Sequence, residues 1–274
     1  MLAVPGLDEV TVIELGQLID GQPTKNPPLP DFEQRLYETH DPAREIIPGQ
    51  VAGVTSATET IFLSTHSGTH MDSLSHVALN GRLFDGTRVD EPGVQEVTRG
   101  VRLRTRENFS PIVSRGILLD FPGLLGVPIV PQEYVMTPDE VRRALAADGL
   151  EIRPGDTVLF RSGWDTKTAD NTEYNRMPIP GPDGATARLL VEAGVVATGA
   201  DTMTYERAPG TPRQIGHVTL IPKAGVFIFE MMDLRALAAT GIREFLFVAA
   251  PLRIAGATGS PINPLALVGG TAAD

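Results

Sequence analysis

The chain contains no cysteine, so disulfide cross-links and thiolate chemistry are excluded. Basic residues are in deficit: 23 Lys and Arg stand against 34 Asp and Glu, giving a net charge of −11. That balance argues against a nucleic-acid backbone or an anionic membrane as partner. Aromatic residues are few, and the single tryptophan, Trp164, follows Ser162-Gly163 at a strand end, where it is read as a packing residue. No apolar run has the length and purity of a membrane span. The opening MLAVPGLDEV has neither the basic segment nor the apolar core of a secretory signal, so a cytoplasmic location is expected. Ser64, Ser67, Ser73 and Ser75 lie close together, but no G-x-S-x-G elbow is present and a serine nucleophile is not expected. Gly256–Pro261 invites a phosphate-loop reading, yet no Gly-Lys-Ser/Thr follows it. It is read as a tight turn. Internal repeats and low-complexity tracts are also lacking.

What is present suits one large domain: 274 residues, 42% of them hydrophobic. Val10–Leu15 alternates and reads as a strand; residues 20–31 carry four prolines and read as a loop. Residues 32–53 are polar with no strong period, and Thr58–Leu63 reads as a short strand. Further strands are expected at Gly116–Phe121, Asp156–Arg161, Val195–Gly199, Val226–Glu230 and Glu244–Ala249. Thr137-Pro-Asp-Glu140 is a capping box opening a helix that Gly149 stops, and Gly181-Pro-Asp-Gly opens another that ends at Gly194. Strands alternating with helices give the class α/β, a single domain with a mixed sheet flanked by helices.

The chemistry concentrates in His66-Ser-Gly-Thr-His-Met-Asp-Ser-Leu-Ser-His76, which holds three of the five histidines. In an extended segment the even-numbered His66, His70, Asp72 and His76 share a face, and Gly68 leaves room on that face for an ion. Two neutral imidazoles and a carboxylate make an N/N/O set for Zn2+, Mn2+ or Fe2+ with positions open to water and substrate. Elsewhere, His217 taken alone reads as a hydrogen-bonded residue in a run of loop then strand, and Glu230 at a strand end needs a partner. Asp201 reads either as a turn cap or as a support to a site. Glu206 reads as a solvated surface carboxylate, Gln214 as a weak candidate for the pocket, and His40 as solvated.

The motif HSGTHMDSLSH resembles the His-x-Gly-Thr-His-x-Asp-x-x-x-His signature of the metal-dependent cyclase family, which includes bacterial kynurenine formamidases, isatin hydrolases and trans-dienelactone hydrolases. Gly199-Ala-Asp-Thr202, His217, Glu230 and the stretch from Phe245 to Pro261 extend the resemblance over nearly the whole chain. It departs from the formamidases at Leu74, where they carry proline, and at Met231, where many members carry asparagine. The resemblance implies the family's swivelling β/β/α fold and a cyclase-like metal hydrolase domain over residues 1–274. It implies one or two divalent ions per chain, Zn2+ or Mn2+, and no organic cofactor. His66, His70 and Asp72 would be metal ligands, and His76, His217 and Glu230 catalytic groups. In the two-ion members the residues matching His217 and Glu230 bind metal and the third signature histidine serves the second ion; other members use one ion and keep these groups for proton transfer. The expected partners are a small-molecule substrate and further copies of the chain, as a homodimer or higher homo-oligomer. The expected reaction is hydrolytic opening of a small cyclic amide, imide or lactone by metal-activated water. Arylformamide hydrolysis, a polyketide-type cyclase or lyase reaction, and a non-catalytic protein clipped by its metal are the alternatives.

Overall fold

Four apolar runs pair in parallel at the centre of a nine-stranded mixed sheet in the computed structural model, which describes residues 10–269 apart from 20, 22–23, 26–27, 42–48, 50, 52 and 211. The N-terminal stretch read for a leader, and parts of the proline-rich loop and of residues 32–53, lie outside the described residues. The parallel strands run Ile112–Asp120, Thr157–Arg161, Ala197–Ala200 and Phe227–Glu230, in that order. Their central residues Ile117, Leu118, Val158, Leu159, Phe160, Ile228 and Phe229 are fully buried. Runs this continuously apolar arise where both faces of a parallel sheet are covered. On one side the sheet continues antiparallel through Glu244–Ala249, Leu265–Gly269 and Val10–Glu14. On the other it continues through two three-residue strands, His70–Asp72 and Gly259–Pro261.

Local signals position the helices. Thr137 caps Pro138–Ala147 by accepting from the Glu140 N–H, and Asp183 caps Gly184–Ala193 by accepting from the Thr186 N–H. Gly149 and Gly194 follow these helices with φ of 65° and 78°, as expected of stop residues. The third helix, Ile215–Ala224, corrects the reading of loop then strand around His217. Pro222 hid it. It lies in the last turn, where its missing N–H removes only the bond that the Val218 carbonyl would accept.

The N-terminal region holds a second difference. Glu33–Glu38 pairs with Thr58–Phe62 as a separate two-stranded ribbon, exposed along nearly its whole length. The strand before the histidine motif therefore does not enter the main sheet. Among the described residues, no helix is long and apolar enough to cross a membrane.

The sheet reverses direction between Phe227–Glu230 and His70–Asp72. The register there sets Glu230 opposite His70, and Ile228 opposite Asp72. Glu230 is the last residue of its parallel strand, and ligands in open α/β sheets bind outside the carboxyl ends of the parallel strands.

Candidate metal centre

Only His70 and Asp72 of the histidine motif lie on a strand. The expectation that four even-numbered residues share one extended face is thus corrected: turns supply the other two. A turn closed by Ser67 N–H to Ser64 O turns His66 back toward the strand, and one closed by His76 N–H to Ser73 O does the same for His76. Gly68 lies between them at φ 61°. Ser73 N–H bonds Thr258 O, carrying the pairing with the neighbouring segment one residue past Asp72, and the Ser73 and Ser75 hydroxyls bond each other within the turn that follows.

The result is one cluster containing His66, His70, Asp72, His76, His217 and Glu230. Asp72 is its centre. Oδ1 lies 3.0 Å from His66 Nδ1 and 3.6 Å from His70 Nε2; Oδ2 lies 3.5 Å from His217 Nε2 and 3.9 Å from His76 Nε2. Glu230 closes the far side, with Oε2 3.4 Å from His70 Nε2 and Oε1 3.1 Å from His217 Nε2. Two trios have donor atoms within 4.8 Å of one another, His66/Asp72/His76 and His70/Asp72/Glu230, and they share Asp72.

This arrangement fits a divalent cation. Asp72 is fully buried, and no backbone N–H, hydroxyl or amide donates to its carboxylate; only imidazole nitrogens face it. A buried ionised carboxylate needs positive charge beside it, here from protonated imidazoles or from a metal ion that those imidazoles also bind. The imidazoles are also turned for the purpose. His70 Nδ1–H donates to Gly68 O at 2.9 Å, leaving Nε2 to face the cluster. His66 Nε2 pairs with Thr258 Oγ1 at 3.2 Å, leaving Nδ1 to face Asp72. Metal-binding histidines characteristically have the second ring nitrogen held in this way.

The electrostatics agree. Burial works against ionisation of Asp72, but His76, His217, His66 and His70 hold its carboxyl well below the usual range. Burial likewise opposes Glu230, which His217 and His70 pull down to about 2. Burial works against protonation of His217, but Asp72, Glu206 and Glu230 raise it well above the ordinary imidazole range. His70 is raised against burial by Glu230 and Asp72. These rings draw protons because they face carboxylates; a divalent ion among the same atoms would displace those protons. His76 goes the other way, lowered by burial and by the neighbouring His66 and His217 against the pull of Asp72 and Glu230.

A cavity of about 540 Å³ opens over the cluster. His66, His70, His76, His217, Glu206 and Glu230 form its polar part; Leu29, Met177, Met203, Ala208, Pro209 and Met231 give it apolar walls. Arg207, Arg213 and Gln214 also line it. Trp164 does not: its side chain is fully buried, with Nε1–H donating to Tyr174 O. Asp201 does not either. Its carboxylate accepts from Ser162 N–H, Ser162 Oγ and Gly163 N–H, tying down the turn after Thr157–Arg161. His40 is exposed and pairs with Thr55 Oγ1.

Three supports were not legible in the sequence. Glu206, read as solvated, is buried and bonds His217 Nδ1 at 2.8 Å. Tyr205 N–H donates to Glu230 Oε1 at 2.8 Å. Gly259 lies flat against His66, so that a Cβ there would meet the ring at 2.5 Å. The only prior hint was the run of small residues after Gly256. Gly259→Ala is therefore expected to leave the fold standing, because a ring at the end of a side chain can swing away, while displacing His66 from Asp72. Thermal melting should change little, and bound metal, measured by elemental analysis, should fall. Unchanged metal content would show that His66 is not needed there.

A mixed α/β sheet carrying a nitrogen-and-carboxylate cluster at its carboxyl edge defines the class: an α/β protein with a candidate metal centre. Residues 13–207 match the family model Cyclase, described as "Putative cyclase", and the chain belongs to this family. The match contains the whole histidine motif and Glu206. The isatin hydrolase of Roseibium aggregatum is 26% identical over 214 residues, covering 75% of this chain and 73% of the relative. Among solved structures, one described as a novel cyclase superposes with a TM-score of 0.79 at 26% identity, covering 93% of this chain and 86% of the other. An isatin hydrolase bound to the product analogue thioisatinate superposes with a TM-score of 0.72 at 21% identity, covering 96% and 94%. The latter likeness carries the fold, and extends it past residue 207 to the segments bearing His217 and Glu230.

Proposed function

We propose that this chain is a metal-dependent hydrolase that opens a small cyclic amide, imide or lactone. One observation carries the reading: Asp72, fully buried with no donor facing it but imidazoles, lies behind four imidazoles and Glu230 that line an apolar-walled cavity. The isatin hydrolase likeness supports the bond class. His66, His70 and Asp72 would hold a divalent ion, Zn2+ or Mn2+, with His217 and Glu230 completing a second site or assisting proton transfer. Such an ion, when bound, lowers the pKa of water toward neutrality and polarises a carbonyl oxygen. The protein's own groups do the rest. Methionine and proline walls exclude water and hold a flat apolar body, methionine adapting to its shape. His76 is the ionisable cluster member most open to the cavity, with its side chain 29% exposed. Burial keeps it neutral, so it takes a proton from the attacking water and returns it to the leaving nitrogen or oxygen as the ring opens. Opening produces a carboxylate, which Arg207 and Arg213 in the cavity lining would favour. The chain is proposed to act as a homo-oligomer in the cytoplasm.

The test removes metal with a chelator, restores Zn2+ or Mn2+ singly, and assays a panel of cyclic imides, lactones and formanilides. Ring-opening activity that vanishes and returns with one metal is the expected result. Activity surviving complete metal removal would overturn the proposal, and a preference for formanilides would move it to arylformamide hydrolysis. Unfolding of the stripped protein would instead indicate a structural clip.

A further inference from the structure

We infer that Glu206 is a positioning residue for the metal centre, fixing the ring of His217 so that its Nε2 is presented to the cluster. The inference rests on the metal reading above and extends it to a residue that does not touch the ion. Glu206 Oε2 accepts two hydrogen bonds from one residue: the backbone N–H of His217 at 2.9 Å and its ring Nδ1–H at 2.8 Å. A carboxylate only accepts, so Nδ1 bears a hydrogen, and Nε2 is the nitrogen left to face the cluster and to bind an ion once its own proton is displaced. Nε2 faces Glu230 Oε1, 3.1 Å away, and Asp72 Oδ2, 3.5 Å away. Two carboxylate oxygens so close to Nε2 call for positive charge there, which a proton on the ring supplies in the metal-free protein and a divalent ion would supply in its place. Two bonds from one oxygen also fix the ring relative to its own backbone.

The surroundings are built around this contact. His217 is the third residue of the helix Ile215–Ala224, whose preceding residue, Gln214, makes no side-chain cap bond. Glu206 therefore also receives one of the N–H groups left open at that helix start. Gly216 makes the approach possible: a Cβ there would fall inside contact distance of Glu206 Oε2. The preceding residue of the same loop, Tyr205, donates its N–H to Glu230, while its ring is fully buried and its hydroxyl bonds Thr198. One loop anchored in the core thus holds both far-side members of the cluster, His217 through a side chain and Glu230 through the backbone.

A purely structural role is the competing account, with Glu206 serving only as a helix-start acceptor. Glu206→Gln separates the two, because the amide oxygen still accepts from the backbone N–H but the charge on the imidazole partner is gone. The metal-stripped full-length protein is titrated with Co2+, followed by its visible absorption and by competition with a chelator. Glu206→Gln should weaken binding by roughly 10- to 100-fold, the range typical of partners of metal-bound histidines, with the melting temperature of the stripped protein unchanged. Gly216→Ala is the second variant. Alanine favours the helix, yet displaces the carboxylate, so the melting temperature should hold while Co2+ binding weakens. Wild-type affinity in both variants overturns the positioning role alone. Failure of the wild type to take up Co2+ overturns both this inference and the metal reading on which it stands.

Discussion

Asp72→Asn is expected to empty the centre of metal and remove turnover together. Every other member of the cluster except Glu230 reaches the centre through an Asp72 oxygen: His66 and His70 lie near Oδ1, His76 and His217 near Oδ2. Both candidate trios of ligands include Asp72, so its loss damages either one. Asparagine keeps the size and one oxygen but loses the charge that offsets the cation. Since changes at groups that merely orient a ligand weaken metal binding by about 10- to 100-fold, loss of this central carboxylate should exceed about 100-fold. Elemental analysis of the purified variant, with circular dichroism to show that it is folded, checks the outcome. A folded Asp72→Asn protein retaining full metal would remove the foundation of the proposed function.

The second large effect separates His76 from His70. His70 lies on the strand, is almost wholly buried, and has its Nδ1 committed to Gly68 O. His70→Ala should lose metal and activity together, because three close ligands leave little to spare. His76 lies beyond the turn and is partly open to the cavity. If it moves protons beside a single ion, His76→Ala keeps that ion and slows turnover by roughly a hundred- to ten-thousand-fold. His76→Asn should behave alike, matching the size without carrying a proton at neutral pH. The trio His66/Asp72/His76 offers a second outcome, in which His76 holds an ion of its own. His76→Ala would then reduce the metal content from two ions to one. Full metal content with near wild-type rate would remove His76 from the chemistry, and His217 would become the next candidate.

Much of the architecture follows from short-range patterns. The apolar runs became the parallel strands within a few residues, because a buried strand needs little beyond its own side chains to be recognised. Thr137 and Asp183 caps, with Gly149 and Gly194 stops, placed two helices by local hydrogen bonding and backbone preference. The helix bearing His217 reads as loop in the sequence; its Gly216 and Pro222 have low helix propensity, and packing against Phe227–Glu230 with the Glu206 bond at its start outweighs that.

The candidate site divides along the same line. Sequence alone determined the composition of the cluster's near side, since His66, His70, Asp72 and His76 lie within eleven residues and no cysteine competes. Tertiary structure decided how they meet. The motif is turn, strand and turn, so His66 and His76 converge on Asp72 through hydrogen-bonded turns and not through alternation along a strand. It also decided the far side: the antiparallel register sets Glu230 opposite His70, and the helix after a long loop carries His217 up to both carboxylates. Glu206 belongs wholly to this second category. Eleven residues from His217, on a polar loop, it carries no periodic signal, and its burial depends on a missing side chain at Gly216 and a core anchor at Tyr205. Hydrogen bonds between segments depend on where the chain folds back, and that is set by packing of the whole sheet and not by any spacing along it.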